Sequence, residues 1–159
     1  MPALGYLELN GTTSGEIKGG ATREDRLDSI EFFHYQHRVE MTTGNQHGLP
    51  LGIRVHRPLT ILKEVDISSP RLMQLLCTEE RISDATFSWY LPNSSGLQEL
   101  YYRIRLENAF INRVEPEMPN PDHPQWAAMA MMERVSFIYE KISWSWGADG
   151  SVEFEDEWN

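Results

Sequence analysis

One stretch constrains everything else in this chain: Pro58–Cys77, PLTILKEVDISSPRLMQLLC. It carries the one strongly helical pattern in 159 residues. Leu59, Ile61 and Val65 alternate with Thr60, Glu64 and Asp66, which predicts an extended segment with one apolar face. Ser68-Ser69-Pro70 then predicts a helix start. A serine can supply the capping oxygen, and proline fits the first turn, where its missing N–H has no partner to lose. Leu72, Leu75 and Leu76 share one face at helical spacing. Nearly everything else alternates with period two. A mainly β chain with one amphipathic helix must lay that helix on a sheet face or over a barrel end.

The rest of the chain supplies the strands. Gly5–Leu9 and Glu16–Lys18 read as short extended pieces, and Thr22–Arg26 as an exposed polar link. Asp28–Glu40 reads as one long strand with apolar residues on both faces, so both faces should be covered. Met41–Gly52 (MTTGNQHGLPLG) reads as a long glycine-containing loop, a length often tied to function. Ser83–Leu91 is a strand and Pro92–Gly96 a hairpin turn. Leu100–Val114 alternates cleanly, with Leu100, Tyr102, Ile104, Leu106, Phe110 and Val114 on one face. Its length predicts a bulge near Asn108. Glu115–Gln125 holds four prolines and must be irregular. Trp126–Met132 has the composition of a short helix. Glu133–Trp146 changes face near Glu140, again predicting a bulge, and Ser151–Phe154 can pair back on it. The length fits a single domain spanning 1–159.

Composition excludes several functions. The formal charge is −10, from 14 basic and 24 acidic side chains. An acidic chain without a basic run is unsuited to nucleic acid or to an anionic membrane surface. No apolar run approaches the ~20 residues of a membrane helix. The start, MPALGYLELNG, has neither a basic region nor a long apolar segment, so synthesis in the cytoplasm without a conventional signal peptide is expected. A single cysteine, Cys77, precludes an intramolecular disulfide, and its place far from the helix start predicts a buried, inert thiol.

The search for chemistry returns little. His34 and His37 are three apart on an extended segment and point to opposite faces, so they cannot share a metal. Neither a nucleophile elbow nor a phosphate-binding loop occurs. The expectation is no catalytic residue, no cofactor and no metal. Met118, Met129, Met131 and Met132 gather around one loop, a composition that suits either gap-filling or an adaptable contact.

The fragments GEIKG, RVHRPLTILKEVDISSPRLMQLL, YYRIRLENAFINRV and MERVSFIYEKISWSW, in that order, resemble the Hcp (haemolysin-coregulated protein) family from about Gly5 to Trp158. The most specific parts are the Lys63-Glu64-Val65-Asp66 and Ser68-Ser69-Pro70 turn, the Leu106-Glu107-Asn108 step, and Tyr139–Ile142 before Trp144. The resemblance implies a small β-barrel of two sheets with one flanking helix, at about residues 70–79. It also implies homohexameric rings that stack into the inner tube of a type VI secretion apparatus. Such a tube is exported without a signal peptide, with small effectors in its lumen, a sheath around it and a tail-tip spike. Phe33, Tyr35, Tyr101 and Trp144 look like more aromatic surface than one barrel can cover, which also asks for a partner. Within the loop, Thr42, Thr43, Asn45, Gln46, Leu49 and Leu51 are the candidate ring-stacking residues. Leu72, Leu75 and Leu76 are the candidates for holding helix to barrel. The competing reading is a monomeric β-barrel binding module, or a small hydrolase using the loops around His47 and His123.

Overall fold

The computed structural model describes residues 4–44, 48–126, 128 and 130–158. Among the described residues there are eleven strands, in chain order β1 (Gly5–Gly11), β2 (Gly15–Glu16), β3 (Ile30–Phe32), β4 (His34–Gln36), β5 (Val39–Thr43), β6 (Pro50–His56), β7 (Leu59–Glu64), β8 (Ile82–Pro92), β9 (Gln98–Glu117), β10 (Met132–Trp146) and β11 (Val152–Glu157). One α-helix, α1 (Ser69–Cys77), lies between β7 and β8. All pairing is antiparallel: β2-β1-β8-β9-β10-β7-β4 form one sheet, β3 adds to β1, and β11 adds to β10. β5 and β6 pair only with each other.

The chain is therefore mainly β with one helix, and the expected barrel is a curled, open sheet. Its near-closure comes from Ile30–Gln36, where one long strand was expected. The segment breaks at Phe33, so β3 pairs with β1 at one edge and β4 pairs with β7 at the other. The break lets Phe32 and Tyr35, three apart, both face the interior; Phe32 is 5.5 Å and Tyr35 5.1 Å from Trp89, ring to ring. Strict alternation would have sent them to opposite faces. β1 reaches this seam through Gly5, where a Cβ would collide with the Phe32 ring.

The three longest strands share a second irregularity. Ile82, Ala85, Phe87 and Trp89 point inward on β8; Ile104, Leu106, Ala109 and Ile111 on β9; Val135, Phe137, Tyr139 and Ile142 on β10. Each list skips a residue, at Ser83–Asp84, at Glu107–Asn108 and at Glu140–Lys141. The pairings Ile82↔Ala109, Asp84↔Glu107, Tyr139↔Ala109 and Lys141↔Glu107 set Ser83, Asn108 and Glu140 in one row. Asn108 there has φ 52°, the left-handed conformation that asparagine tolerates well. The register shifts lie elsewhere, at Trp89/Tyr90 and Ser136/Phe137, so the bulges expected at Asn108 and Glu140 are instead one change of face that crosses the three strands with the pairing unbroken. It turns Phe110 outward, contrary to the alternation read from the sequence, and Arg81 sits over its ring.

α1 covers one side of the core. Leu72 and Leu75 are fully buried, and Leu76 packs half-buried against the same cluster. Ser68 does not cap the helix with its hydroxyl. That hydroxyl donates instead to Asp66 Oδ1, while Ser69 Oγ accepts from the Asp66 N–H (2.9 Å) and donates to Glu133 (2.6 Å). Lys63, between Ile61 and Val65 on β7, has no exposed surface; its Nζ lies 2.6 Å from Glu133 Oε1 and 3.1 Å from Asp66 Oδ1. Burial works to raise the Asp66 carboxyl, but the Ser68 hydroxyl and the Lys63 charge outweigh it and hold it below its ordinary value. The serines expected to cap a helix therefore lock a strand–turn–helix corner, and Val65, expected inside, is exposed. The helix ends with Glu79 at φ 52° and the bonds Glu79 N–H to Leu76 O and Glu80 N–H to Leu75 O, a glycine-type terminator made without glycine.

Three smaller expectations fail. Arg26 is buried, not exposed, its guanidinium 3.7 Å from the Tyr90 ring centre and 4.7 Å from that of Tyr6. Cys77 is exposed, because the helix turns its last residue away from the sheet. The 3-10 turn Pro124–Trp126 precedes the stretch Trp126–Met132 read as a helix, whose described residues 128 and 130–132 are not helical; Met118 and Met131 are exposed, Met132 is buried in β10, and Met129 lies outside the described residues.

Candidate assembly surface

Within Met41–Gly52, read as a loop, both ends are strand: 41–43 belong to β5 and 50–52 to β6. β5 and β6 form a hairpin arm with Val39 opposite His56, Glu40 opposite Val55 and Met41 opposite Arg54. The pairing then shifts, so that Thr43 meets Pro50. Gly52, at φ +78°, stands in the shift and gives β6 its extra residues without steric penalty. The strand signal was hidden because the bulge breaks the alternation that reveals a strand. Gly44 N–H bonds Leu49 O near the tip.

The arm is apolar and uncovered. Val39 is 41% exposed, Met41 45%, Ile53 58% and Leu49 65%. Thr42 and Thr43 are exposed beside them. Of the other stacking candidates, Leu51 belongs to β6, while Asn45 and Gln46 lie outside the described residues.

The arm's base is held by polar contacts that cross the chain. Arg54 grips Asp156 of β11 with two bonds, Nε to Oδ2 at 2.6 Å and Nη2 to Oδ1 at 3.0 Å, and adds Nη2 to the Glu157 carbonyl at 2.9 Å. His56, two residues on and on the same strand face, has Nε2 2.8 Å from Asp156 Oδ2 and Nδ1 2.7 Å from Tyr139 Oη. The same Tyr139 oxygen lies 2.8 Å from His37 Nε2. The Trp158 ring tilts over His56 at 5.2 Å, and the Trp158 N–H bonds the Glu140 carbonyl. Arg57 pairs with Glu40 at 3.1 Å.

The electrostatics follow from this packing. The Arg54 hydrogen bonds, joined by those of His56, hold the Asp156 carboxyl below its ordinary value despite partial burial. Burial and the neighbouring His56 push the His37 imidazole down to about 4, against a weaker pull from the Arg57 backbone. Burial raises the Tyr139 phenol, with Tyr35 and Asp156 adding to it. An open pocket of about 400 Å³ adjoins the cluster, with His56, Phe110, Ile138, Tyr139 and Trp158 in its walls.

None of these base residues stood out in the sequence as a group. Alternation places Arg54 and His56 on one face, and the acidic tail offers counter-charges. Which acid they meet is a matter of register across about 100 residues. Among the described residues, no group of three or more His, Cys, Asp and Glu is arranged to hold a metal. His123 is exposed in the loop after β9, and His47 lies outside the described residues. Of the aromatic residues expected to need a partner, Tyr35, Tyr101 and Trp144 pack against the chain's own core. Trp144 stacks on Phe154 of β11 at 5.9 Å. Groups of uncovered apolar residues lie instead on the arm and on the last hairpin, where Trp146, Val152 and Phe154 are more than half exposed, with Leu27, Ile67, Leu97 and Met118 exposed at other places.

Residues 6–146 match the family model described as "Type VI secretion system effector, Hcp". The chain belongs to the Hcp family of type VI secretion proteins. Over 98% of its length it is 33% identical to the "Major exported protein" of Pseudomonas aeruginosa, of which it covers 96%. It is similar in structure to a mutant form of the Hcp1 protein of enteroaggregative E. coli, with a TM-score of 0.86, 32% identity and 98% of both chains covered. Another solved Hcp protein superposes with a TM-score of 0.90 at 26% identity, covering 99% of this chain and 98% of that one. Secretion is the family's business, and no helix of the described residues is long and apolar enough to cross a membrane.

Proposed function

We propose that this Hcp chain is the building block of a type VI secretion tube. Six copies close into a ring, rings stack through the arm, and the tube leaves the cell with small effectors in its lumen. Its partners are then other copies of itself, the surrounding sheath, the tail-tip spike and the cargo. The observation that carries the reading is the arm. Four apolar side chains stand uncovered on a hairpin that pairs only with itself, while Arg54 and Asp156 fix its base. A loose loop could leave such residues exposed at little consequence. A mounted one presents a fixed apolar surface, and such surfaces mark contacts with protein. Thr42 and Thr43 supply neutral hydrogen-bonding groups on the same arm, and the sequence adds Asn45, Gln46 and Leu51 to the stacking candidates.

The test has two parts. A native mass spectrum of the full chain should give a closed homo-oligomer with six copies; a monomer at micromolar concentration would overturn the ring. Replacing Thr42–Leu51 by an Asn-Gly turn should keep the ring and abolish stacking in electron micrographs. Tubes from the shortened chain would remove the arm from the stacking contact.

A further inference from the structure

Two open sheet edges stand at opposite ends of one series of strands. The pairings β2-β1-β8-β9-β10-β11 run antiparallel throughout, and the row Glu16, Asn10, Asp84, Glu107, Lys141 and Glu157 crosses all six strands. Among the described residues, β11 pairs only with β10 and β2 only with β1. Main-chain groups alternate in direction along a strand. The Trp158 N–H turns toward β10, to the Glu140 carbonyl, so the groups of Glu153, Glu155 and Glu157 turn away from the sheet. Arg54 Nη2 takes the Glu157 carbonyl. On the other edge the Ile17 N–H turns toward β1, to the Leu9 carbonyl, so the groups of Glu16, Lys18 and Gly20 turn outward. Asp66 Oδ2 takes the Gly20 N–H at 3.0 Å. The chain thus blocks the far end of each edge itself and leaves two residues open on each: Glu153 and Glu155 on one, Glu16 and Lys18 on the other.

We propose that these two edges join copies of the chain side by side: β11 of one copy pairs antiparallel with residues 16–18 of the next, Glu153 opposite Lys18 and Glu155 opposite Glu16. This contact deepens the function proposed above and rests on its ring. The topology suits it. Six antiparallel strands leave the two edge strands running in opposite directions, so a copy added by rotation alone continues the alternation. The faces suit it too. The residues with open main-chain groups carry their side chains on the solvent face at both edges, so the join keeps one polar face and one apolar face. On the apolar face Phe154 falls opposite Ile17 and next to an open cleft of about 340 Å³, with Ile17, Ile67, Lys18 and Arg71 in its walls. Phe154 is two-thirds exposed and Ile67 more so, and each would cover the other.

The charges select this partner. Glu153 has no basic partner among the described residues, and Lys18 is exposed, meeting Asp28 only at 3.7 Å. Arg71, in the cleft wall, bonds the Gln74 amide oxygen and not an acid. Glu155 opposite Glu16 opposes the contact, but Lys141 lies 3.2 Å from Glu155 and offsets it. Two β11 edges brought together would set three glutamates against three, so the strand resists pairing with itself. What remains is a contact between two different edges. Such a contact is not self-complementary, and repeated by rotation it closes a ring.

The test is cross-linking of the full chain in a Cys77→Ser background, which removes the exposed native thiol. With Lys18→Cys and Glu153→Cys together, a short bismaleimide should give a covalent ladder of up to six chains; either cysteine alone should give no ladder. Rings in the native mass spectrum that do not cross-link would defeat the edge contact alone. A monomer that does not cross-link would defeat the ring with it. Two exposed positions then test the energetics without threatening the fold. Glu153→Lys should raise the protein concentration at which rings dissociate at least tenfold, and adding Lys18→Glu should recover most of that loss. Phe154→Asp should leave a folded monomer, read by its thermal unfolding and native mass. Rings of parental stability in Glu153→Lys or Phe154→Asp, or no recovery in the charge swap, would overturn the pairing.

Discussion

Two polar clusters tie distant parts of this Hcp chain together, and they are built on opposite principles. At the corner of β7 and α1, Lys63 and Glu133 are buried at 2.6 Å from each other, with Asp66 and Ser69 filling the remaining bonds. At the base of the arm, Arg54 is half exposed and Asp156 a fifth exposed, while His56 links Asp156 to the Tyr139 oxygen that His37 also meets. The first cluster is a buried ion pair, where removing one partner leaves the other with no counter-charge. The second lies at the solvent edge, where screening weakens each pair and protons exchange with water. The corner secures the fold. The base secures an appendage whose position matters only when another subunit is present.

The largest effect should come from attacking the corner. Lys63→Met leaves Glu133 buried and unpaired and should cost about 3–5 kcal/mol in urea unfolding. The double change Lys63→Met, Glu133→Leu should recover much of that loss, since a buried pair replaced together is often neutral. A Lys63→Met chain as stable as the parent would erase the distinction between the clusters.

The helix next to that corner should come second. Leu75→Ala opens a cavity under α1 and should cost about 2–5 kcal/mol, with Leu76→Ala well below it because Leu76 is half exposed. Equal losses would mean that the helix presents a different face to the sheet.

Arg54→Ala should separate assembly from stability. The subunit's thermal midpoint should stay within error of the parent, while the tubes seen by electron microscopy should be lost or much shortened. A fall in the midpoint matching that of Leu75→Ala would place the arm's base among the elements that hold the fold.

The pH dependence should be smaller. The folded His37 is held at about 4, below the ~6.5 of an unfolded histidine. Folding therefore favours the neutral ring, so this contribution is full above about 6.5 and is lost as the pH falls toward 4. His37→Asn should flatten the stability profile across that window, and an unchanged slope would assign it to other groups. The smallest effect should be that of salt. With a formal charge of −10 on every copy, stacking should strengthen from low salt to about 0.15 M as repulsion is screened, read by sedimentation. Weakening over that range would point to ion pairs between rings.

Much of this was legible in the residues. The Leu72, Leu75 and Leu76 spacing gives a helix with one face, and the alternation through β8, β9 and β10 gives strands. The change of face at Glu140 was legible, but the bulges read there and at Asn108 were not found, because the neighbouring strands change face at the same row and the pairing stays unshifted. The arm was missed because Gly52 and the shifted pairing disrupt the alternation through which a strand is recognised. Lys63 was read only as part of a motif, since a lysine on an apolar face is normally taken for a boundary residue. Its burial makes sense only once Glu133 is beside it, a partner 70 positions away.

What the sequence determined by itself is therefore local: which segments extend, which one coils, and where a strand changes face. Alternation and helical spacing are properties of neighbouring residues, and each side chain's direction follows from the backbone within a few positions. The tertiary structure decided that the changes of face line up, so that Ser83, Asn108 and Glu140 share a row. It decided that Arg54 finds Asp156 and not another acid of the tail, and that two histidines meet on one tyrosine oxygen. These depend on register between strands up to about a hundred residues apart, and a one-residue slip would exchange every partner. Only the packing of the whole core, with Phe32, Phe87 and Phe137 seated together, selects that register.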